Sequence, residues 1–493
     1  MLHFIVQFPL VTETYQEDIL DKRFEIGRKI YNALVKITQN RYREMIKTKK
    51  YRLAKTELSE LHRSDKNDPG RKKELLRSLN ESYKQHGLNE YSFHDNVKNM
   101  QKHFKQNIDS FTAQKIATNL WKAYEKLLFG EGECIHYKKF GELNSMEGKS
   151  NKAGIRFRDG KIVWNGLKMP VKTDSNNDYE HQAMLSEIAY CRIVRKFIKG
   201  KCRYYIQLVF KGRPPIKTKK NVETGNPMTH GDVGLDIGTQ TIAVSSRTDV
   251  KIYELADRVQ NIENEKCRLL RKLDRQRRAN NSDNYNSDGT IRKQGSKRVI
   301  WVNSNKYKQT QKKLRELYRK QVDVRKYQHE CLANEIILKG DRIHVETMNY
   351  KGLQKRAKKT TINEKTGKPN KKKRFGKSLA NKAPAMLLTI IDRKLKYHGS
   401  QLIKIDTWSA KASQYNHMED SYKKKKLSER WDMIDGSKVQ RDMYSAFLIM
   451  NINEDLKSIS KEKCDARFDD FMRLHDAEVK RLSGNKNLSS IAI

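Results

Sequence analysis

Val233-Gly-Leu-Asp-Ile-Gly-Thr239 is the stretch on which the fold of this 493-residue chain turns. Apolar residues flank Asp236, a glycine stands two positions to either side of it, and Thr241-Ile-Ala-Val-Ser245 follows. The pattern predicts a β-hairpin with Gly238 at its turn and an aspartate carried on an apolar strand. Gly234 and Gly238 keep bulk away, so that a cation and a backbone phosphate can approach the carboxylate closely. Burying such a group unpaired is costly, and a bound cation removes the cost. The plainer reading is an aspartate that caps a turn.

Two more acids sit in comparable settings. Glu346 ends the apolar run of Ile343-His-Val-Glu-Thr-Met-Asn349, and Asp442 lies in Gln440-Arg-Asp-Met-Tyr-Ser-Ala446, at the start of a helix expected over 442–456. Ala446, Phe447, Ile449, Met450 and Ile452 form the buried side expected of that helix. Singly, each acid says little, because strands often end in Glu and helices often open on a capping Asp. As a trio they match a site that holds two Mg²⁺ ions for phosphodiester hydrolysis, Asp236 bridging the ions and Glu346 and Asp442 flanking them. The order of hairpin, strand and helix, with acids at their ends, predicts a ribonuclease H-like α/β core interrupted by insertions.

Composition agrees with a polynucleotide partner. Lys and Arg number 103 against 59 Asp and Glu, a formal net charge of +44. Such a chain repels itself and persists best beside a polyanion. The blander alternatives are a ribosomal-type or membrane-surface protein. Residues 1–10 are apolar but lack the basic segment and cleavage site of a signal peptide, and no run is long enough to span a membrane. The six cysteines include no Cys-x-x-Cys pair, which suggests reduced thiols in a cytoplasmic protein.

Along the chain, residues 1–14 read as a first strand and 15–130 as helical. Leu20, Phe24, Gly27, Tyr31 and Leu34 make one apolar stripe, with Ile30 and Ile37 beside it, and Phe111, Ile116, Leu120, Tyr124 and Leu127 make another. Trp121 and Tyr124 are read as core rather than as base-stacking residues. The stretch 63–75, with Asp68-Pro-Gly70, is expected to be a loop. Residues 131–230 suggest a small β-barrel-like domain with strands at 155–158, 161–164 and 204–210, and 215–230 suggest a linker. Within 231–408, long basic helices are expected over 255–278 and 304–337, separated by an Asn/Ser/Gly-rich insert. Residues 353–378 hold eleven Lys or Arg and a single Glu, too polar to bury a core. A helix over 379–397 and a strand over 401–405 follow. Residues 409–440 form a lid region, 441–456 the last core segment and 457–493 a charged tail.

The acidic segments, together with Leu270-Arg-Lys-Leu-Asp-Arg-Gln-Arg-Arg278, Val345-Glu-Thr-Met-Asn-Tyr-Lys-Gly-Leu353 and Ile405-Asp-Thr-Trp408, resemble the split RuvC motifs of the TnpB family. Those are transposon-encoded RNA-guided DNA nucleases, to which the compact type V CRISPR effectors are related. The resemblance covers nearly the whole chain. It implies a bacterial or archaeal nuclease with Asp236, Glu346 and Asp442 as catalytic magnesium ligands. It also implies a helical recognition domain (15–130), a β-barrel wedge domain (1–14 and 131–230), a guide RNA and a target DNA beside a short DNA motif. Arg271, Arg275, Arg277, Arg278, Lys351, Lys355, Arg356, Lys371, Lys372, Lys373, Arg374 and Arg441 would contact nucleic acid, while base pairing reads the sequence.

One departure stands out. The family's lid carries two Cys-x-x-Cys pairs, and here Ser413, Asn416, Asp432 and Asp435 stand at the matching positions. Without thiolates no structural zinc is expected, although His417 with the two aspartates is a possible metal set. The region must then hold itself by packing, with Trp431 a candidate anchor. Rival readings remain. Gly234–Thr239 also resembles the phosphate loop of actin-like ATPases, but the second loop those enzymes need is missing. An RNA-guided regulator with weak catalysis is a further alternative, against which the retention of all three acids argues, and a DNA-strand transposase of the same fold would bind transposon ends without a guide. Oligomeric state is not written in the residues.

Overall fold

The computed structural model describes residues 2–63, 68–216, 218–219, 222–223, 228–292, 295, 299–363, 367, 369–370, 375–426 and 429–484. The chain is a mixed α/β protein whose internal contacts divide it into two compact units, Met1–Thr224 and Gly225–Ile493.

The first unit begins with β1 (His3–Pro9), and helices α1 (Thr14–Met45), α2 (Lys49–Arg63), α3 (Pro69–Gln85), α4 (Glu90–His103) and α5 (Ser110–Leu128) follow. The stripe expected along α1 is its buried face, with Leu20, Phe24, Gly27, Ile30 and Leu34 inside. Tyr124 is fully buried and meets Phe93 edge-on, so its ring belongs to the core, whereas Trp121, also edge-on to Phe93, is half-buried at its margin. Of the loop expected over 63–75, positions 64–67 lie outside the described residues and 69–75 are helix. Asp68 accepts a hydrogen bond from Arg71 N, and Pro69 at the first helical position starts α3.

Short strands β2 (Ser145–Glu147), β3 (Arg156–Arg158), β4 (Lys161–Trp164) and β5 (Leu167–Pro170) come next. Helix α6 (Asp178–Met184) and long strands β6 (Ile188–Ile198) and β7 (Lys201–Lys211) follow them. They do not close into the expected barrel. The sheets are small and open, one ordered β1-β7-β6-β2 and the other β3-β4-β5. Among the described residues no strand pairs β1 with β2, and the two sheets meet at the end of β1, where Lys172 N donates to the Pro9 carbonyl (2.9 Å) and Leu10 bridges to Val171. Part of the expected linker is a two-stranded ribbon, β8 (Thr218–Lys219) against β9 (Val222–Glu223).

The second unit is built on β10 (Asp232–Ile237), β11 (Thr241–Ser246) and β12 (Val250–Glu254), an antiparallel meander. The two basic helices α7 (Val259–Ala279) and α8 (Asn305–Ile337) lead to β13 (Arg342–Glu346). Then come α9 (Tyr350–Gln354), α10 (Gly376–Lys382), α11 (Pro384–Tyr397) and β14 (Ile403–Ile405). The helix expected over 379–397 is broken at Ala383, which takes a left-handed backbone (φ 46°) before Pro384. The sheet order is β12-β11-β10-β13-β14, with β13 parallel to both β10 and β14. The segment expected to form a lid follows: α12 (Thr407–Ala410), β15 (Tyr415–Asn416), β16 (Ser421–Tyr422), β17 (Trp431–Ile434) and β18 (Ser437–Gln440). Helices α13 (Arg441–Met450), α14 (Lys461–Asp465) and α15 (Phe468–Ser483) complete the unit.

Both faces of the sheet are covered, which explains the unbroken apolar runs of its strands. Val233, Leu235 and Ile237 point to one face and pack with Ile336 and Ile337 of α8 and Leu387, Ile390 and Ile391 of α11. The alternate residues face α13, and the second core there joins Ala243, Ile252 and Ile405 to Met443, Phe447 and Met450, then to Phe468 and Phe471. Helix α13 stops at Met450, short of the expected 456. Asn451 Nδ2 turns back onto the Phe447 carbonyl (3.0 Å), and Ile452 is buried beyond the helix, where it bridges to Ile459.

Candidate active site

Strands β10 and β13 run parallel with Leu235 opposite Val345, so Asp236 and Glu346 are the next residues on neighbouring strands at one edge of the sheet. Helix α13 crosses the same face of β10. Gly234 makes that crossing possible: a Cβ there would overlap the Ala446 carbonyl and the Met450 amide. Gly234 therefore serves helix packing rather than the approach of a phosphate. One turn earlier on α13, Asp442 and Ser445 come over Asp236. Gly238 does form the turn, its amide donating to the Thr241 carbonyl (2.9 Å).

The three acids feel one another. Burial, then the charges of Asp442 and Glu346, push the Asp236 carboxyl up to about 8, while Ser445 and Arg441 offset part of that rise. Ser445 Oγ acts as a nearby dipole, since it makes no hydrogen bond of full geometry. Burial also raises Glu346, whose Oε1 is buried without a hydrogen-bond partner. Asp442 is turned aside: its Oδ2 accepts from Arg430 Nη1 at 3.4 Å and from Gln440 Nε2 at 3.5 Å. Among the described residues no group of three or more His, Cys, Asp or Glu side chains is close enough to hold a metal ion as it stands. The trio shares one field but does not close into a ligand shell. Arg430 is the cationic side chain that meets Asp442. The donor set nonetheless suits a hard cation: carboxylate oxygens, with one buried oxygen of Glu346 unsatisfied.

The lid holds itself by packing. Ala410, Ala412, Tyr415, Ile434 and Val439 enter the α13 core. His417 is fully buried, its Nδ1 2.6 Å from the Tyr444 hydroxyl and its Nε2 4.0 Å from Asp465. Burial lowers its pKa, so the ring stays neutral. Asp432 is engaged by Lys425, and Asp435 sits at a hairpin turn with φ 47°. His417, Asp432 and Asp435 are thus not assembled as a metal set. Trp431 is half-buried, edge-on to His475 at 6.4 Å, with Lys438 over its ring at 4.7 Å.

No known family profile and no curated protein matches this chain. Among solved structures it is similar to one described as "Cryo-EM structure of the Cas12f1-sgRNA-target DNA complex", with 11% sequence identity and a TM-score of 0.43 over 91% of this chain and 99% of that chain.

The basic residues divide by their engagement. Arg271 and Arg275 are exposed on α7, on one face with Arg268 and Lys272. Lys351, Lys355 and Arg356 are exposed after Glu346. Arg277 and Arg278 are partly committed within the protein, both to Asp274, with Arg277 over Trp301 and Arg278 over Tyr285. Arg441 donates to the Lys426 carbonyl at 3.0 Å while its charge acts on Asp236. Lys371, Lys372, Lys373 and Arg374 lie outside the described residues.

Two residues of the site were not singled out from the sequence. The Tyr350 hydroxyl is buried without a partner, and burial together with the charge of Asp236 pushes it up to about 12. Its only signal was a place four positions past Glu346. Arg430 reaches Asp442 because β17 and β18 pair as a hairpin, with Trp431 opposite Gln440. The Asp435-Gly436 turn, both residues at positive φ, was the legible sign of that hairpin.

Proposed function

We propose that this chain is an RNA-guided DNA endonuclease whose single active site is the Asp236, Glu346 and Asp442 cluster of a ribonuclease H-like core. The observation that carries the reading is electrostatic. Acids from three distant segments lie close enough that two of them raise the proton affinity of the third. An arrangement that concentrates negative charge inside a chain of net charge +44 stands out against its surroundings. The hairpin, parallel strand and crossing helix that carry the acids support the core assignment. RNA guidance rests on the motif resemblance and the basic helices.

Asp236, which feels the charge of both other acids, would hold the cations together with Asp442 and with Glu346, whose buried Oε1 is unsatisfied. When bound, two Mg²⁺ ions supply Lewis acidity at the phosphate and an activated water. Arg430 has 41% of its side chain exposed and can leave Asp442 for a phosphate oxygen. The Tyr350 hydroxyl is available to donate to the attacking water or to a phosphate oxygen, which would fix its orientation.

The second reading, a guide-dependent DNA-binding regulator with weak catalysis, is favoured by the Arg430–Asp442 contact and the open arrangement of the acids. One experiment separates the two. RNA that co-purifies with the chain is sequenced, and the complex is then assayed for binding and cutting of a matched DNA in Mg²⁺. The nuclease reading expects one defined noncoding RNA, cleavage by the wild type, and none by Asp236→Ala with binding retained. Equal cleavage by Asp236→Ala would remove that residue from the mechanism. Guided binding without any wild-type cleavage would establish the regulator.

A further inference from the structure

We propose that Trp408 is a stacking platform for one unpaired base of the DNA strand that enters the acidic site. The inference rests on the nuclease reading above and deepens it by naming a residue that positions the substrate strand.

Trp408 is 88% exposed, more than any Tyr, Phe or other Trp among the described residues. Its surroundings are nonetheless ordered. Asp406 Oδ1 accepts from the backbone amides of Trp408 (3.0 Å) and Ser409 (3.4 Å), and Asp406 N donates to the Leu456 carbonyl (2.9 Å). Ala410 and Ala412 are buried on either side of Lys411, which takes a left-handed backbone (φ 43°) and ends the turn. The ring is thus held out from a fixed backbone.

Its place in the sheet links it to the acids. Glu346 pairs with Ile405 on parallel strands, so the chain leaves β13 and β14 at the same edge, where open α/β sheets bind their ligands. The Thr347 amide, next after Glu346, donates to Thr407 Oγ1 (3.0 Å), next before Trp408. An exposed indole on a rigid turn beside a phosphodiester-cleaving site matches how single strands are held, with aromatic faces under the bases and cations along the backbone. The cations are at hand in Lys411 and in Lys457, whose charge acts on Asp406. A protein partner would call for a continuous apolar patch. Here the ring is flanked by Thr407 and Ser409, whereas a base offers a π-face with polar edges.

The test uses the full chain in EDTA, so that cleavage cannot enter the readout. Affinities are measured at one salt concentration for a labelled dT oligonucleotide and for an abasic oligonucleotide of equal length. The wild type is expected to prefer dT to the abasic strand. Trp408→Ala should weaken dT binding about tenfold, the scale of one stacked base, and leave abasic binding unchanged. Trp408→Phe should keep most of the preference. The indole fluorescence quenched by dT in the wild type should be lost in Trp408→Ala. Equal dT affinity of the wild type and Trp408→Ala, or no wild-type preference for bases over abasic sugars, would overturn the proposal. A preference that depends on Trp408 in a protein that never cuts DNA would leave the platform standing and remove the nuclease reading. Cleavage without that preference would do the reverse.

Discussion

Asp236 is the residue on which the electrostatics of the site converge. With its carboxyl pushed up to about 8, the folded chain binds a proton there that the unfolded chain has released above about pH 4. A folded state that holds more protons loses stability as pH rises. In EDTA, the stability of the wild type relative to Asp236→Asn should therefore be greatest below about pH 4 and fall as pH climbs through about 8. Thermal unfolding across that range reads the trend, and parallel curves for the two proteins would mean that the carboxylate is well solvated. Adding Mg²⁺ at pH 8 should raise the wild-type melting temperature more than that of the variant. Tyr350 offers a cleaner separation of role from structure. Its buried hydroxyl has no partner, so Tyr350→Phe should leave stability unchanged or slightly improved, while a positioning role predicts about a tenfold loss of cleavage. Unchanged cleavage would make the hydroxyl a bystander.

Among the elements, the contact of α13 with β10 decides whether the site exists. Gly234 lets the helix backbone lie directly on the strand, which carries Asp442 towards Asp236. Gly234→Ala should cost at least about 3 kcal/mol in urea unfolding, because the added methyl meets backbone atoms that cannot rotate away. The surviving folded fraction should also lose cleavage. Full activity in that variant would show that the helix can shift without moving Asp442. The same glycine shows where reading a sequence stops: its small size was evident, but whether a phosphate or a helix needed that space was not. The hairpin at Gly238 and the two basic helices were legible because short-range patterns define them. The break at Ala383 was missed although Pro384 signalled it, and the β17–β18 hairpin was missed although Asp435-Gly436 did.

For the whole molecule, a net charge of +44 predicts an interface dominated by phosphates. Nucleic-acid affinity should fall steeply with salt, by about a thousandfold or more between 50 and 200 mM if six to ten phosphates are neutralised. A filter-binding series with total RNA or DNA reads the slope, and a flat response would contradict an electrostatic interface. Among the described residues no helix is long and apolar enough to cross a membrane.

Apolar alternation, helical stripes, turn residues and charge are local, and the sequence alone determined from them the strands around Asp236 and Glu346, the start of α13 and a strongly positive net charge. The open form of the first unit's sheets, the docking of α13 on Gly234, the Arg430–Asp442 pair and the company Tyr350 keeps arise between residues far apart in the chain. Such contacts depend on how strands close and which backbones touch, and they leave no periodic trace in the order of the residues. Tertiary structure therefore decided how the three acids stand towards one another.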